Sequence, residues 1–561
     1  MLKKKVAVII AKHIPLKIQE IVSLLEIPPD SKLGDLSFPT YSLAGKLKKN
    51  PSQISQDIVK KLETGKEIEK IEAVGPYVNF FINKEKLAEQ IIRINENYGR
   101  NKGRKQKIVV EFLSPNTNKP LHIGHLRNMS IGESISRILE FSNNKVIRTN
   151  LYNDRGIHIC ASMLAYKKFG KNKKPNKKSD HFVGDFYILF NKKLKTNKKL
   201  EDEARKLLQE WEKGDKQTRQ LWEKMNFWVI KGIEQTYKTF GIKFNKQYYE
   251  SKIYKKGKEI INDGLKKKIF KKRQDNAVII NLGGELGEKV LLRPDQTSVY
   301  ITQDLYLAKL RYQDYKFNKL IYIVGNEQNY HFNVLFKILK LLGYKFSQNT
   351  HHLSYGMVFL PEGRMKSREG KIVDADDLIA SMQELAKKEL KKRSKLKKKE
   401  LENRSLKIAL SAIKYFLLKV DSNKDMMFNP DKAINFEGDT GPYLQYTYAR
   451  ASSIIKNARK SRKAEKARNK LKIKQLKEQE IKLIKKIDKF PEIITQTTKQ
   501  LNPSILANYS FQLSQTFNEF YQYCRVVGSE QERFRLALVE AFRKTMKNSL
   551  HLLGIEAIEE M

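Results

Sequence analysis

The hydrophobic pattern is most legible near residue 110. Ile108-Val-Val-Glu-Phe-Leu113 is apolar at all positions but one, the mark of a strand covered on both faces of a parallel sheet. A loop rich in Pro and Asn follows. Ile131, Ile135, Ile138 and Leu139 then recur at helical spacing, predicting a helix from about Gly124. Val146 to Leu151 predicts a second strand. This order of strand, helix and strand argues for a doubly wound sheet. The sheet is expected to resume with Leu320 to Val324, then a loop from Gly325 to Tyr330 and a helix carrying Phe332, Leu335, Ile338 and Leu341.

The flanks read differently. Residues 1–105 predict a small α+β domain, with GDLSFP at Gly34 to Pro39, a helix starting at Pro51 and a strand over Ala73 to Asn83. The polar, basic stretch Asn101 to Lys107 marks a linker. Residues 106–377 predict the sheet domain, Rossmann-like, with a mostly helical insertion at about 171–275 that holds Trp211, Trp222 and Trp228. Residues 378–561 predict an all-α domain. No repeat of fixed period is present.

Composition narrows the class. Hydrophobic residues make up 40% and aromatics 10%, enough to bury real cores and to exclude a mostly disordered chain. Cys160 and Cys524 are the only cysteines, which excludes a disulfide framework and a CxxC zinc site and suits a reducing compartment. No apolar run is long enough to span a membrane. The N-terminal apolar run Val6 to Ala11 meets Lys12 at once, too short for the core of a secretory signal. Lys and Arg number 110 against 62 Asp and Glu, a net charge of +48. Such an excess favours a polyanionic partner. Lysine-rich coding in an AT-rich genome accounts for it equally well, and roughly half is assigned to each source.

The sharpest chemical signal is Glu111-Phe-Leu-Ser-Pro-Asn-Thr-Asn-Lys-Pro-Leu-His-Ile-Gly-His125. It sets His122-Ile-Gly-His125 between a buried strand and a helix start. Two imidazoles on one turn can donate to phosphate oxygens, Gly124 lets a base approach the backbone, and a helix N-terminus favours anions. A bare HxGH recurs by chance; its place in a βα unit gives it weight. A second candidate is Gly363-Arg-Met-Lys-Ser-Arg-Glu-Gly-Lys371, which alone reads as a basic turn. It is not a P-loop, because Ile372 stands where Ser or Thr is required.

These stretches, with GPYVNF, VYITQDLYLA and TGPYLQYTYAR, resemble the class I aminoacyl-tRNA synthetases, and among them the arginyl enzymes, from the first domain to the last residues. The resemblance implies a Rossmann-like catalytic domain, an N-terminal domain that meets the tRNA elbow and a helical anticodon-binding domain. It implies ATP-dependent joining of L-arginine to tRNA(Arg), through arginyl-adenylate, in the cytoplasm. It gives His122, His125, Lys119 and Lys366 as catalytic residues. ATP contacts are Pro120, His122, Gly124, His125, Met365, Ser367 and Arg368. The segment from Gly363 looks like the mobile KMSKS loop, but Lys366 and Ser367 depart from the usual order. Lys119, just before the histidine motif, is expected to replace the displaced lysine.

The family pattern points to Glu111, Tyr300 and Asp304 for the guanidinium, which carboxylates grip in pairs of hydrogen bonds. Tyr300 and Asp304 share a face if their segment is helical. Ser114, Asn116 and Gln328 match positions holding the substrate's α-amino and carboxylate groups. Tyr77 and Asn79 match the tRNA-elbow region, although both could be plain sheet residues. Tyr521 is a candidate for stacking, while Phe511, Phe517 and Phe520 suit a core equally well. Tyr443, Gln445 and Tyr446 serve tRNA contact or domain packing. Mg²⁺ is expected with ATP, held by phosphates and water, with no metal held by the protein and no permanent cofactor. A monomer without membrane contact is expected. The enzymatic alternative is another class I synthetase or a small-molecule nucleotidyltransferase, the latter opposed by the basic helical C-terminal part. The alternative of another class is an inactive paralogue that binds RNA. The joint presence of His122, His125, Lys119, Lys366 and Asp304 argues against it.

Overall fold

The apolar run near residue 110 forms the middle strand of a five-stranded parallel sheet. The computed structural model describes residues 2–101, 103, 105–361, 373–393, 395–461, 473 and 475–561. The sheet strands are β1 (Lys107–Phe112), β2 (Lys145–Tyr152), β3 (Lys246–Tyr249), β4 (Lys319–Gly325) and β5 (Thr350–Tyr355). Their spatial order is β5-β4-β1-β2-β3, and every pairing is parallel. Burial alternates as the sequence requires. Val110 and Phe112 face one core, while Val109 faces a second core on the other side. The strand order reverses between β1 and β4, and ligands of open α/β sheets bind at such a reversal.

Helix α1 (Ile123–Phe141) leaves that point, and fifteen of its nineteen residues are buried. Gly132 lets it lie on β1, since a Cβ there would sit 2.3 Å from the Phe112 ring. The Asn128 amide donates to the Ile323 carbonyl of β4 at 2.8 Å. Arg127 is fully buried. Its guanidinium donates to the carbonyls of Gly356, Met357, Asp421, Ser422 and Lys424 at 2.6–3.5 Å. It therefore staples α1 to the chain after β5 and to a turn between two later helices. Further along α1, the Ser134 hydroxyl donates to the Leu552 carbonyl at 2.9 Å.

The insertion is helical, with α2 (Ser179–Leu194), α3 (Lys199–Lys213) and α4 (Lys216–Phe240). The sheet resumes earlier than the pattern predicted. β3 is a short edge strand, and its mixed sequence Lys-Gln-Tyr-Tyr carries little strand signal. A separate three-stranded antiparallel sheet spans Lys271 to Leu292; its short strands lie among polar residues. Helices α5 (Tyr300–Tyr315) and α6 (Asn329–Leu341) flank β4. The C-terminal part is almost wholly helical, as expected, with α7 (Ala375–Arg393), α8 (Lys398–Leu418), α9 (Gly441–Ser461), α10 (Pro503–Tyr523) and α11 (Glu532–Leu552) among its elements.

The N-terminal part has one correction. The single strand read over Ala73 to Asn83 belongs to an antiparallel hairpin of Ile68–Val74 and Tyr77–Ile82. The chain reverses at Gly75, whose φ of +54° lies in the left-handed region. The apolar run near the N-terminus is a helix, Leu2–Ala11, that buries Val6, Ala7 and Ile10 in this part's core. Cys160 and Cys524 are buried and unbonded.

Arg127→Met would leave buried carbonyls without donors. It is expected to lower stability by about 3 kcal/mol, read as a lower urea midpoint with an unchanged slope. An unchanged midpoint would show that the staple contributes nothing.

Candidate functional site

Strand β1 ends at the sheet's reversal point, and the backbone there is unusual. Leu113 is buried with φ +67°, a region a leucine rarely takes. It turns the chain so that Ser114 and Asn116 are exposed. Asn153, just past β2, fixes this loop: its N–H donates to the Pro115 carbonyl at 3.0 Å and its side chain to the Ser114 carbonyl at 3.1 Å.

The loop runs through Lys119 and Pro120 into α1, whose first turn is capped by its own histidines. The Gly124 N–H donates to His122 Nδ1 at 3.2 Å, and the His122 N–H donates to His125 Nδ1 at 3.0 Å. The two rings lie 3.9 Å apart. Each Nδ1 accepts and so carries no proton. In a neutral imidazole the proton then sits on Nε2, which makes that atom each ring's donor. Burial, and then the charge of Lys119, push the His122 imidazole down to about 4. Burial, His122 and Lys119 hold His125 well below the usual range. Burial also lowers Lys119.

Asp304 and Tyr300 both lie on α5, as helical spacing required. Tyr300 is 75% exposed. The Asp304 carboxylate, about a third exposed, lies 2.7 Å from His331 Nε2. Glu111 differs from the expectation of an available ligand for a guanidinium. It is buried, and it is already ion-paired with the fully buried guanidinium of Arg311. Arg311 lies over the rings of Tyr248 and Tyr322, at 5.2 and 5.5 Å from their centroids. Burial pushes the Glu111 carboxyl up to about 6, opposed by Arg311 and reinforced by nearby Asp304. Gln328 is exposed on the short 3₁₀ turn Asn326–Gln328 after β4.

Lys366, Met365, Ser367 and Arg368 lie outside the described residues. The chain that follows them meets the histidine turn directly. The Ile123 N–H donates to the Val373 carbonyl at 3.0 Å, and the Ala375 N–H to the Leu121 carbonyl at 2.9 Å.

For two residues offered to either RNA contact or packing, the structure shows burial. Asn79 is 3% exposed, and its side-chain carbonyl accepts from the Ser37 hydroxyl at 2.6 Å inside the N-terminal sheet. Gln445 is fully buried, with its amide donating to the Glu556 carbonyl at 2.8 Å. Both are packing residues. Tyr77 is partly exposed and meets exposed Tyr41 edge to face, 5.9 Å between centroids. Tyr443 accepts from the Asn518 amide at 2.8 Å. Arg450 lies over Tyr446, 4.8 Å from its centroid, and 5.7 Å from that of Tyr521, which is 43% exposed. Arg450 and Tyr521 line a surface recess with Asn518 and Arg525. Phe517 and Phe520 are fully buried, so the core reading holds for them.

Sequence reasoning missed Arg311, His331, Asn153 and Tyr41. His331 follows the loop singled out at Gly325 to Tyr330, so one more residue would have captured it. A basic residue buried beside Glu111 was foreseeable, since a buried acid needs a partner, but its identity was not.

Three family models match the chain. The model described as tRNA synthetases class I (R), catalytic domain, covers residues 88–430. The DALR anticodon binding domain covers 444–561, and the arginyl tRNA synthetase N terminal domain covers 1–82. An arginine–tRNA ligase of Treponema denticola is 45% identical over 96% of this chain and 94% of its own length. That of Borrelia hermsii is 44% identical over 97% and 96%. The solved arginyl-tRNA synthetase of Thermus thermophilus matches with a TM-score of 0.85 and 25% identity, covering 100% of each chain.

The histidine turn gives a pH test. The His122 imidazole has an ordinary value of 6.5 and is pushed down to about 4 in the fold. Between these values the unfolded chain holds the extra proton. The neutral ring's contribution is therefore complete above about 6.5 and drains as pH falls towards about 4. On going from pH 7 to 5, the protein is expected to lose roughly 1 kcal/mol more stability than His122→Asn, allowing for the ring's partial exposure. Equal losses would show that the ring takes its proton without cost.

Proposed function

The chain belongs to the arginyl-tRNA synthetases of class I, and on that premise we propose how its own residues carry out the reaction. It is an ATP-dependent arginine–tRNA ligase. The arginine carboxylate attacks the α-phosphorus of ATP and diphosphate leaves. The terminal ribose hydroxyl of tRNA(Arg) then attacks the adenylate carbonyl, and AMP leaves.

The observation that carries the residue-level reading is the pair of imidazoles whose Nδ1 atoms accept backbone N–H groups. Their Nε2–H groups donate to the triphosphate as charge moves onto its oxygens. As neutral donors they need no proton from solvent. Gly124 and Pro120 border the adenine. Lys119 supplies a fixed cation beside the histidines and takes the part of the displaced loop lysine. Lys366, Met365, Ser367 and Arg368 complete the phosphate contacts. Mg²⁺ arrives with ATP, held by phosphate oxygens and water.

Asp304 takes the substrate guanidinium, with the Tyr300 ring beside it. His331 keeps the Asp304 carboxylate oriented. Glu111, shared with Arg311, adds negative potential from behind rather than a free carboxylate. Ser114, Asn116 and Gln328, all exposed, receive the α-amino and carboxylate groups. A pocket built on an open carboxylate rejects uncharged amino acids strongly enough to need no proofreading site.

The tRNA elbow meets Tyr77, and the anticodon meets the face of Tyr446, Arg450 and Tyr521, with Tyr443 behind it. Aromatic rings flanking a guanidinium suit stacking on unpaired bases. The division into 1–105, 106–377 and 378–561 follows these tasks. A monomer in the cytoplasm completes the reading; no described helix is long and apolar enough to cross a membrane.

Arginine-dependent ATP–diphosphate exchange, run with and without tRNA(Arg), tests this reading. Exchange is expected with arginine and is expected to require the tRNA. Asp304→Asn is expected to lower kcat/KM for arginine about a hundredfold. Exchange with a different amino acid and none with arginine would overturn the assignment of Asp304.

A further inference from the structure

A polar cluster outside the phosphate and arginine contacts ties the helical insertion to the chain beside the histidine turn. Lys178 Nζ lies 2.7 Å from Asp180 Oδ2, 2.7 Å from Asp376 Oδ2 and 2.8 Å from Thr236 Oγ1. The Thr236 hydroxyl donates to Asp376 Oδ1 at 3.0 Å, and His181 Nε2 lies 2.8 Å from Asp376 Oδ2. Asp374 Oδ1 accepts the Asp376 N–H at 2.8 Å. Asp180, His181 and Asp376 bring three possible ligand atoms within 4.8 Å of one another. The Lys178 ammonium already bonds both carboxylates, so the cation the site needs is part of the chain.

The cluster is built at close quarters. Asp180 is fully buried. A Cβ on Gly232 of α4 would come within 2.4 Å of its Oδ1, so only glycine lets α4 approach. On the same insertion, a Cβ on Gly184 of α2 would come within 2.8 Å of Pro120 Cδ. The insertion thus touches the loop before the histidines and, through Asp376, the chain that pairs with them. The backbone bonds Ile123 to Val373 and Ala375 to Leu121 connect Asp376 to the start of α1 within a few residues.

We propose that Lys178 and Asp376 are positioning residues for adenylate formation: their ion pair clamps the insertion onto segment Val373–Ala375 and so fixes where the histidine turn and Lys119 stand. This rests on the ligase reading above. The pair is partly buried, and its geometry is demanding. Donors to a transition state must be placed to within a fraction of an ångström, and a displacement of about 1 Å costs on the order of a hundredfold. Neither Lys178 nor Asp376 needs to touch a substrate to act in this way.

The test uses the full chain with tRNA(Arg), arginine and ATP. Lys178→Met and Asp376→Asn are each expected to lower kcat of ATP–diphosphate exchange about tenfold or more. KM for arginine, tRNA affinity and thermal midpoint are expected to stay within about twofold or a few degrees of the parent. Lys178→Arg, which keeps the cation, is expected to restore most of the rate. Parent-like kcat in both variants overturns the proposal. So does equal loss of exchange, tRNA binding and folding in both, because the cluster would then be a folding element only. Should Lys178→Met alone fail to fold, Asp376→Asn decides by the same criteria. If the unaltered protein lacks exchange, the ligase reading itself falls and takes the clamp with it; normal exchange with indifferent variants removes the clamp alone.

Discussion

A helix that starts inside a protein must satisfy its first backbone N–H groups, and α1 does so with imidazoles. His122 and His125 each spend Nδ1 on a backbone donor. That one constraint sets the tautomer and leaves Nε2–H as each ring's donor, while burial keeps the rings neutral. The positive end of the helix dipole adds to the same effect. Most of the architecture serves to hold this turn. The strand order reverses beside it, Gly132 seats α1 on Phe112, and buried Arg127 anchors the helix to five carbonyls.

Charge is arranged in two tiers around the turn. The inner tier is closed: Glu111 pairs with Arg311, both buried, and the aromatic rings of Tyr248 and Tyr322 cover the guanidinium. Removing either partner would leave a buried charge, at a cost of about 3–5 kcal/mol. The outer tier is open: Asp304 is partly exposed and, among the described residues, is held by a histidine. Only the open tier can exchange its partner for a substrate without unfolding the core, so the proposed grip on a guanidinium falls to Asp304.

Three of the five central strands were legible because they are largely buried on both faces and therefore written as apolar runs; the edge strand β5 was not read. β1, β2 and β4 appear within a residue or so of the expected bounds. β3 was not legible, since an edge strand of four residues needs no such run. The histidine turn was legible from spacing within a βα unit. Partners distant in sequence were not: Arg311 lies 200 positions from Glu111, and nothing local to either names the other. Asn79 and Gln445 stayed open between RNA contact and packing for a related reason. Polar residues in a motif read as surface, but a side chain that finds one good backbone or hydroxyl partner can be buried without penalty.

Nitrogen NMR of the histidine side chains, without and with a non-hydrolysable ATP analogue, tests the core of this account most directly. His122 and His125 are expected to be neutral Nε2–H tautomers at pH 7, and both Nε2 resonances are expected to move when the analogue binds. A proton on Nδ1 of either ring, an imidazolium at neutral pH, or Nε2 resonances indifferent to the nucleotide would contradict it.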